Sequence, residues 1–213
     1  MDYTAQFLTI CGLHLLAVAS PGPDFAIVLR QSITFGRRPA LWTSVGIGSG
    51  ILVHITYSLL GIGLLVKSSL LAFTILKIAA AAYLVWIGSK ALRSKPKTLE
   101  SLQPNQALTV AAPSAAKAWV IGFMTNALNP KATLFFLSVF SAVIDPRTPR
   151  IIQAGYGLWM SVVTALWFCG VAYFFTQERV RRAFVRLGHW FERTMGVVLI
   201  ALGVRLAFAT AGK

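Results

Sequence analysis

Two short segments place ionisable and helix-breaking residues inside apolar sequence. The first consists of Ser20, Pro21, Gly22 and Pro23 followed by Asp24, and the second runs from Asn126 through Asn129 and Pro130 to Lys131. A carboxylate can bind an ammonium group, and a lysine together with free backbone amides can bind a carboxylate. Asp24 and Lys131, with Asn126 and Asn129 beside them, are therefore candidate ligands for the two charged ends of a zwitterion.

The first segment predicts a broken helix. Proline lacks a backbone donor and clashes with the preceding turn, so Pro21 and Pro23 end one half-helix and begin another. With Ser20 or Gly22 as the N-cap, Asp24 falls in the first turn of the second half-helix. The helix dipole favours a carboxylate at that position.

The second segment predicts a matching break. Asn129 is a natural N-cap, and Pro130 is then the first residue of a new half-helix. Either break alone is also explained as a kink that serves packing. A pair of breaks with one acid and one base favours an internal cavity, because free amides at membrane depth must face protein or water.

The composition explains why these segments need special positioning. The chain has 213 residues, of which 56% are hydrophobic and only 12% are charged, yet its formal net charge is +14. A soluble domain carries about a quarter charged residues, and a disordered basic tail has low hydrophobicity, so both classes are excluded. The composition predicts an all-α membrane protein in which intramembrane charges are candidate functional groups.

Long runs without charge predict six transmembrane helices in a single transmembrane domain spanning residues 1–213. Each run can cross a hydrocarbon core of about 30 Å. The Pro-containing stretch at about 94–117 is interpreted as a loop between two halves, at about 4–93 and 118–210. The predicted spans lie at approximately 4–29, 41–66, 69–89, 118–144, 151–176 and 190–210.

The basic residues predict the orientation of these spans. Thirteen of the 20 lysines and arginines fall in the first, third and fifth loops and four on the alternate side. Basic loops remain cytoplasmic, so both termini are expected in the periplasm. The five arginines at 179–193 also fit anionic lipid beside the membrane better than nucleic acid, which is not expected as a partner.

The two halves are expected to form inverted repeats. A three-span unit repeated once has its second copy inverted across the membrane, and here the breaks fall in the first span of each half, helices 1 and 4. Paired interrupted helices in inverted halves point to a transporter substrate site near the midplane. The pattern therefore predicts a transporter. An enzyme would need further acids or a nucleophile at the same depth, and a scaffold would not need two breaks.

Four further residues are second-tier candidates. Lys77 either lines the cavity or extends to the outer interface. His54 is either a proton relay or a hydrogen-bonded packing residue. Tyr83 belongs to a weak repeat between spans three and six, and Trp86 lies deep enough in its span to touch a substrate. The separated histidines and cysteines predict no metal site, and no cofactor is expected.

These motifs together resemble the LysE/RhtB family of bacterial amino-acid exporters. The resemblance covers essentially the whole chain and is carried by residues 20–24, the Gly36-Arg37-Arg38 turn, the glycine-rich second helix, Tyr83 to Gly88, and the run from Asn126 to Phe136. Within the family the chain is most similar to the threonine/homoserine branch. The resemblance implies six helices, an inner-membrane location, export driven by the proton gradient, and homodimers.

The sequence thus predicts an exporter of a small neutral amino acid that works by proton antiport, with a proton on Asp24 competing against the substrate ammonium. Its alternatives are export of a basic or branched-chain amino acid or of a cation. A basic substrate would be expected to need a second acid in the cavity, and Asp24 is the one acid predicted within a span.

Overall fold

The computed structural model describes residues 2–20, 22–62, 70–94, 111–145 and 147–177, together with scattered positions between 180 and 208. Throughout this part of the chain the regular structure is helical, with no strand. The all-α prediction is confirmed. The helices are α1 Tyr3–Ala19, α2 Pro23–Thr34, α3 Arg37–Tyr57, α4 Leu70–Leu92, α5 Ala115–Ala127, α6 Pro130–Ala142 and α7 Arg150–Phe174.

The first predicted span is two helices. α1 ends at Ala19, and the backbone at Ser20 and Gly22 is extended. α2 begins with Pro23 in its first turn and Gly22 as its N-cap, so Asp24 is the second helical residue. The axes of α1 and α2 differ by 51°. Pro21 lies outside the described residues.

The fourth predicted span is also two helices. α5 ends at Ala127, and α6 begins at Pro130 after Asn129. The Asn129 side chain caps α6, because its Oδ1 accepts a hydrogen bond from the Lys131 backbone amide at 3.0 Å. Lys131 is thus the second residue of α6, as Asp24 is of α2.

Helices of spanning length are apparent in the described chain. Arg37–Leu60 and α7 are each long and apolar enough to cross a membrane, and the bent α1–α2 pair is a third candidate. α4 has 23 residues, about 35 Å at helical rise. Within the predicted second span, 41–66, α3 is followed by a π-helical turn at Ser58–Ile62. The predicted sixth span and central loop lie largely outside the described residues, so the six-span inverted repeat stays a prediction.

Glycines allow α3 to approach its two main neighbours closely. A side chain at Gly46 would collide with the Trp119 carbonyl of α5, and one at Gly122 of α5 would collide with the Thr43 carbonyl of α3. On another face of α3, a Cβ at Gly48 would lie 2.9 Å from the Ser161 carbonyl oxygen of α7. Small residues at such crossings are typical of membrane helix packing. The break between α5 and α6 is therefore held against α3.

Polar contacts group the helix ends at two opposite ends of the bundle. At one end the Arg37 Nε donates to Thr176 Oγ1 at 3.1 Å, which joins the start of α3 to the end of α7. At the other end the Tyr156 hydroxyl of α7 donates to the Tyr3 carbonyl at 3.1 Å. Gln6 Nε2 reaches the Val143 carbonyl at 3.5 Å beside this contact. The start of α1, the end of α6 and the start of α7 therefore share one end, opposite Arg37.

Candidate functional site

The Asp24 carboxylate connects the first helix break to the second. Its Oδ2 accepts hydrogen bonds from Asn126 Nδ2 at 2.9 Å and from Asn129 Nδ2 at 3.1 Å. Asn126 lies in the last turn of α5 and Asn129 is the N-cap of α6, so the donors flank the break between these helices. Asp24 Oδ1 is buried and has no hydrogen-bond partner among the described residues. Within the described residues, one carboxylate oxygen is thus hydrogen-bonded by the protein and the other is not.

Lys131 makes the reciprocal connection. Its ammonium Nζ donates to the carbonyl oxygens of Ser20 at 3.1 Å and Ala17 at 3.4 Å, at the end of α1. Its side chain also lies over Gly22, where an added Cβ would be 3.5 Å from Nζ. The charged residue of each half-helix therefore contacts the break in the other half of the chain.

The helix termini complement these charges. Asp24 lies at the N-terminus of α2, where the backbone dipole is positive, and the Lys131 ammonium lies at the C-terminus of α1, where it is negative. Both interactions are strengthened where water is scarce. The arrangement holds an acid and a base in one polar site among apolar helices.

A cavity of about 50 Å³ lies between these groups. Cavities of roughly 150 Å³ hold a molecule the size of benzene, so the cavity in this conformation must widen to admit an amino acid. Its apolar wall includes Phe25, Ile51, Phe135, Phe136 and Phe168. Its polar lining consists of His14, Ser20, Asp24, Asn126, Asn129, Lys131 and Thr164.

His54 supports this site from α3. Its Nε2 contacts the Asn126 carbonyl oxygen at 2.9 Å and its Nδ1 contacts the Tyr57 hydroxyl at 2.7 Å. The ring is fully buried and stacks on Phe136 with centroids 5.6 Å apart. Because a carbonyl only accepts, Nε2 is the protonated nitrogen. Of the two roles considered for His54, these contacts favour a hydrogen-bonded packing residue over a proton relay. They also hold Asn126 where its amide reaches Asp24.

The other second-tier residues lie in α4. Trp86 is 55% exposed, and the Lys90 ammonium lies 4.7 Å from the centroid of its ring. It is not among the cavity-lining residues. The side chains of Lys77 and Tyr83 lie outside the described ones. Within the described chain there is no group of three metal-ligating residues.

His14 and Thr164 line the cavity although the residue pattern did not single them out. Each is 1% exposed, and they lie on α1 and α7. One histidine in an apolar helix carries no spacing signal, and such a residue is usually interpreted as a packing residue. Its position ten residues before Asp24 in the same broken span was the available signal. The hydrogen bond between His14 Nε2 and Thr164 Oγ1, at 3.0 Å, depends on how two distant helices pack, which no local pattern reveals.

Comparison with known proteins gives consistent matches across the chain. The family model described as LysE type translocator matches residues 15–210. The threonine efflux protein of Escherichia coli K12 is 30% identical over 200 residues, which cover 94% of this chain and 96% of that protein. The homoserine/homoserine lactone efflux protein of Salmonella typhimurium is 33% identical over 63% of this chain and 62% of its own length. No solved structure matches significantly.

Proposed function

Since the chain belongs to the LysE-type translocator family, we propose that it exports a small neutral amino acid, threonine or homoserine in type, across the bacterial inner membrane. Family membership makes it a multi-pass membrane transporter and not an enzyme. The threonine and homoserine efflux relatives support the substrate class. The observation that carries the proposal is the reciprocal placement of Asp24 and Lys131 across the two helix breaks.

The substrate ammonium binds at Asp24. Oδ2 is already held by two asparagine amides, which fixes the carboxylate in place. Oδ1 is buried without a partner in the described chain. An ammonium group supplies the missing donor and forms a charge-assisted hydrogen bond. The asparagines therefore orient the acid, and the second oxygen binds the substrate.

The substrate carboxylate binds near Lys131 and the N-terminus of α6. Lysine is a flexible cation with three donors, and in this conformation Lys131 donates to the carbonyls of Ala17 and Ser20. Rotation of its side chain toward a carboxylate replaces these neutral acceptors with a charged one. Binding therefore weakens the contact between α6 and the end of α1, which couples occupancy to movement of the half-helices.

Proton coupling follows from competition at Asp24. A protonated carboxyl no longer attracts the ammonium, so a proton entering from the periplasm displaces the substrate outward. A basic substrate is less well suited, because Asp24 is the one acid among the described cavity-lining residues. A second cation on the substrate would remain unpaired in an apolar cavity, which is costly.

The same proposal includes the membrane arrangement. The inverted halves, at about 4–93 and 118–210, alternate access to the cavity by moving against each other. Both termini are periplasmic and the basic loops face anionic lipid in the cytoplasm. The grouping of helix ends supports this, because Tyr3 and Val143 lie at one end and Arg37 at the other. Homodimers are part of the proposal through the family resemblance.

Efflux from proteoliposomes tests the function. Vesicles holding the purified chain are loaded with labelled threonine, and an inward proton gradient is imposed. The wild-type chain is expected to release threonine faster when the outside is acidic. Asp24→Asn is expected to lose this acceleration, whereas Asp145→Asn, in the loop after α6, should retain it as a matched control.

Exchange of labelled threonine without a proton gradient measures substrate binding and movement alone. Comparing it with pH-driven efflux therefore separates binding from proton coupling. Normal pH-driven efflux by Asp24→Asn contradicts coupling at this residue. An inability of the wild-type chain to exchange any small neutral amino acid contradicts the proposed substrate class.

A further inference from the structure

His14 presents an unusual buried polar atom at the substrate cavity. Its ring lines the cavity, is 1% exposed, and is surrounded by aromatic side chains. The centroid distances are 6.0 Å to Phe135 and 5.9 Å to Trp159. Nδ1 has no hydrogen-bond partner among the described residues. A buried polar atom without a partner is destabilising, so its presence at a cavity indicates a ligand.

The other ring nitrogen defines which kind of ligand group fits. Nε2 lies 3.1 Å from the Met160 carbonyl oxygen and 3.0 Å from Thr164 Oγ1. A carbonyl oxygen only accepts, so Nε2 carries the proton. In the neutral ring Nδ1 is then an acceptor, and it needs a donor such as a hydroxyl. α7 thus holds the ring in the tautomer that leaves an acceptor available.

His14 and Asp24 line the same cavity, where the proposed amino-acid substrate binds. A threonine spans about 3 to 4 Å from its amine nitrogen to its hydroxyl oxygen. Two hydrogen bonds of about 2.9 Å, one at each end, extend it to about 9 Å. Because the two residues line one cavity, a threonine bound there can contact Asp24 through its amine and His14 through its hydroxyl.

We propose that the His14 imidazole recognises the hydroxyl group of the substrate and selects hydroxylated amino acids over aliphatic ones of the same shape. This rests on the proposed function, because it assigns a second contact to the same substrate. An aliphatic analogue leaves Nδ1 unpaired and loses binding relative to the hydroxylated substrate. The aromatic wall at Phe135 is compatible with either side chain, so selection falls to the polar lining, in which His14 Nδ1 is an acceptor without a partner among the described residues.

Exchange of labelled threonine or valine in proteoliposomes tests the proposal, because these amino acids have the same shape and differ by one hydroxyl. The wild-type chain is expected to prefer threonine by about tenfold, the worth of one hydrogen bond. His14→Gln retains an amide near Nε2 but has no atom at Nδ1, so the preference should disappear while valine exchange remains. His14→Asn places an amide near Nδ1 and should keep much of the preference.

The outcomes separate this inference from the proposed function. If the wild-type chain exchanges valine and threonine at equal rates, the role of His14 is overturned and amino-acid export is not. If His14→Gln keeps the same preference for threonine as the wild-type chain, the role of His14 is also overturned. That result is what a bound water at Nδ1 or a purely structural role for His14 would predict. If the wild-type chain exchanges neither these two amino acids nor any other small neutral one, homoserine included, the proposed function itself fails. If His14→Gln does not fold, the wild-type comparison still tests the proposal, because equal exchange of threonine and valine overturns it.

Discussion

Asn129 Nδ2 donates a hydrogen bond to Asp24 Oδ2 at 3.1 Å, across 105 residues of chain. The same side chain caps α6 through its Oδ1, which accepts from the Lys131 amide. One asparagine therefore shapes the second break and orients the acid of the first. The two functions use opposite ends of its amide group, so substitutions can separate them.

We expect Asn129→Asp to keep the cap and lose transport. A carboxylate still accepts from the Lys131 amide, but it cannot donate to Asp24 and places a second negative charge beside it. Asn129→Ala loses both contacts and about 1 kcal/mol of cap stability. Thermal unfolding in detergent and threonine exchange measure the two effects separately.

Ser114→Ala is the matched control for the capping effect. Ser114 caps α5, with its Oγ accepting from the Lys117 amide at 3.3 Å, and it lies away from the cavity. Its loss should lower stability by a similar amount and leave exchange near the wild-type rate. Full exchange by Asn129→Asp would show that the hydrogen bond to Asp24 is unnecessary.

Lys131→Met is expected to reduce threonine exchange by at least about tenfold, since it removes the cation proposed to bind the substrate carboxylate. Methionine retains much of the apolar stem that lies over Gly22, so folding should be maintained. Exchange is measured at several threonine concentrations, and the apparent affinity should weaken most. Lys117→Met, on an exposed lysine in the first turn of α5, is the control, and equal loss in both variants would assign the effect to general charge.

The helix breaks were predictable from sequence because proline, glycine and asparagine act locally. Pro23 and Pro130 each lie at the first position of a half-helix, as their missing amides require. The contact of Lys131 with the Ser20 carbonyl was not predictable, because it depends on the approach of α6 to α1. The π-helical turn at Ser58–Ile62 has no breaking residue before it, so no local signal marked it.

His54→Phe should lower exchange by a few fold while leaving its dependence on the proton gradient unchanged. The variant retains a ring that can stack on Phe136 but loses the contact with the Asn126 carbonyl, so the Asn126 amide is less well placed for Asp24. Efflux with and without an inward proton gradient measures the rate and its acceleration. Loss of the acceleration alone would support a proton-relay role for His54.

Tyr57→Phe distinguishes these roles further. It removes the hydroxyl beside His54 Nδ1 but leaves the Nε2 contact with Asn126 intact. A positioning role for His54 predicts near-normal exchange and coupling in this variant. A relay that continues through Tyr57 toward the Thr133 carbonyl, 3.3 Å from its hydroxyl, predicts uncoupled transport instead.

Gly46→Ala is expected to destabilise the chain by more than about 2 kcal/mol, because its Cβ would overlap the Trp119 carbonyl, which belongs to backbone and cannot rotate away. α5 must then move from α3, carrying the Asn126 amide away from Asp24, so exchange should fall together with thermal stability.

Gly12→Ala is the control, since nothing lies within 4 Å of its added methyl. Because alanine is the better helix former by about 0.5–1 kcal/mol, Gly12→Ala should be neutral or stabilising. Equal melting temperatures for the two variants would show that α3 and α5 do not pack as closely as described, and would remove the support on which the orientation of Asp24 depends.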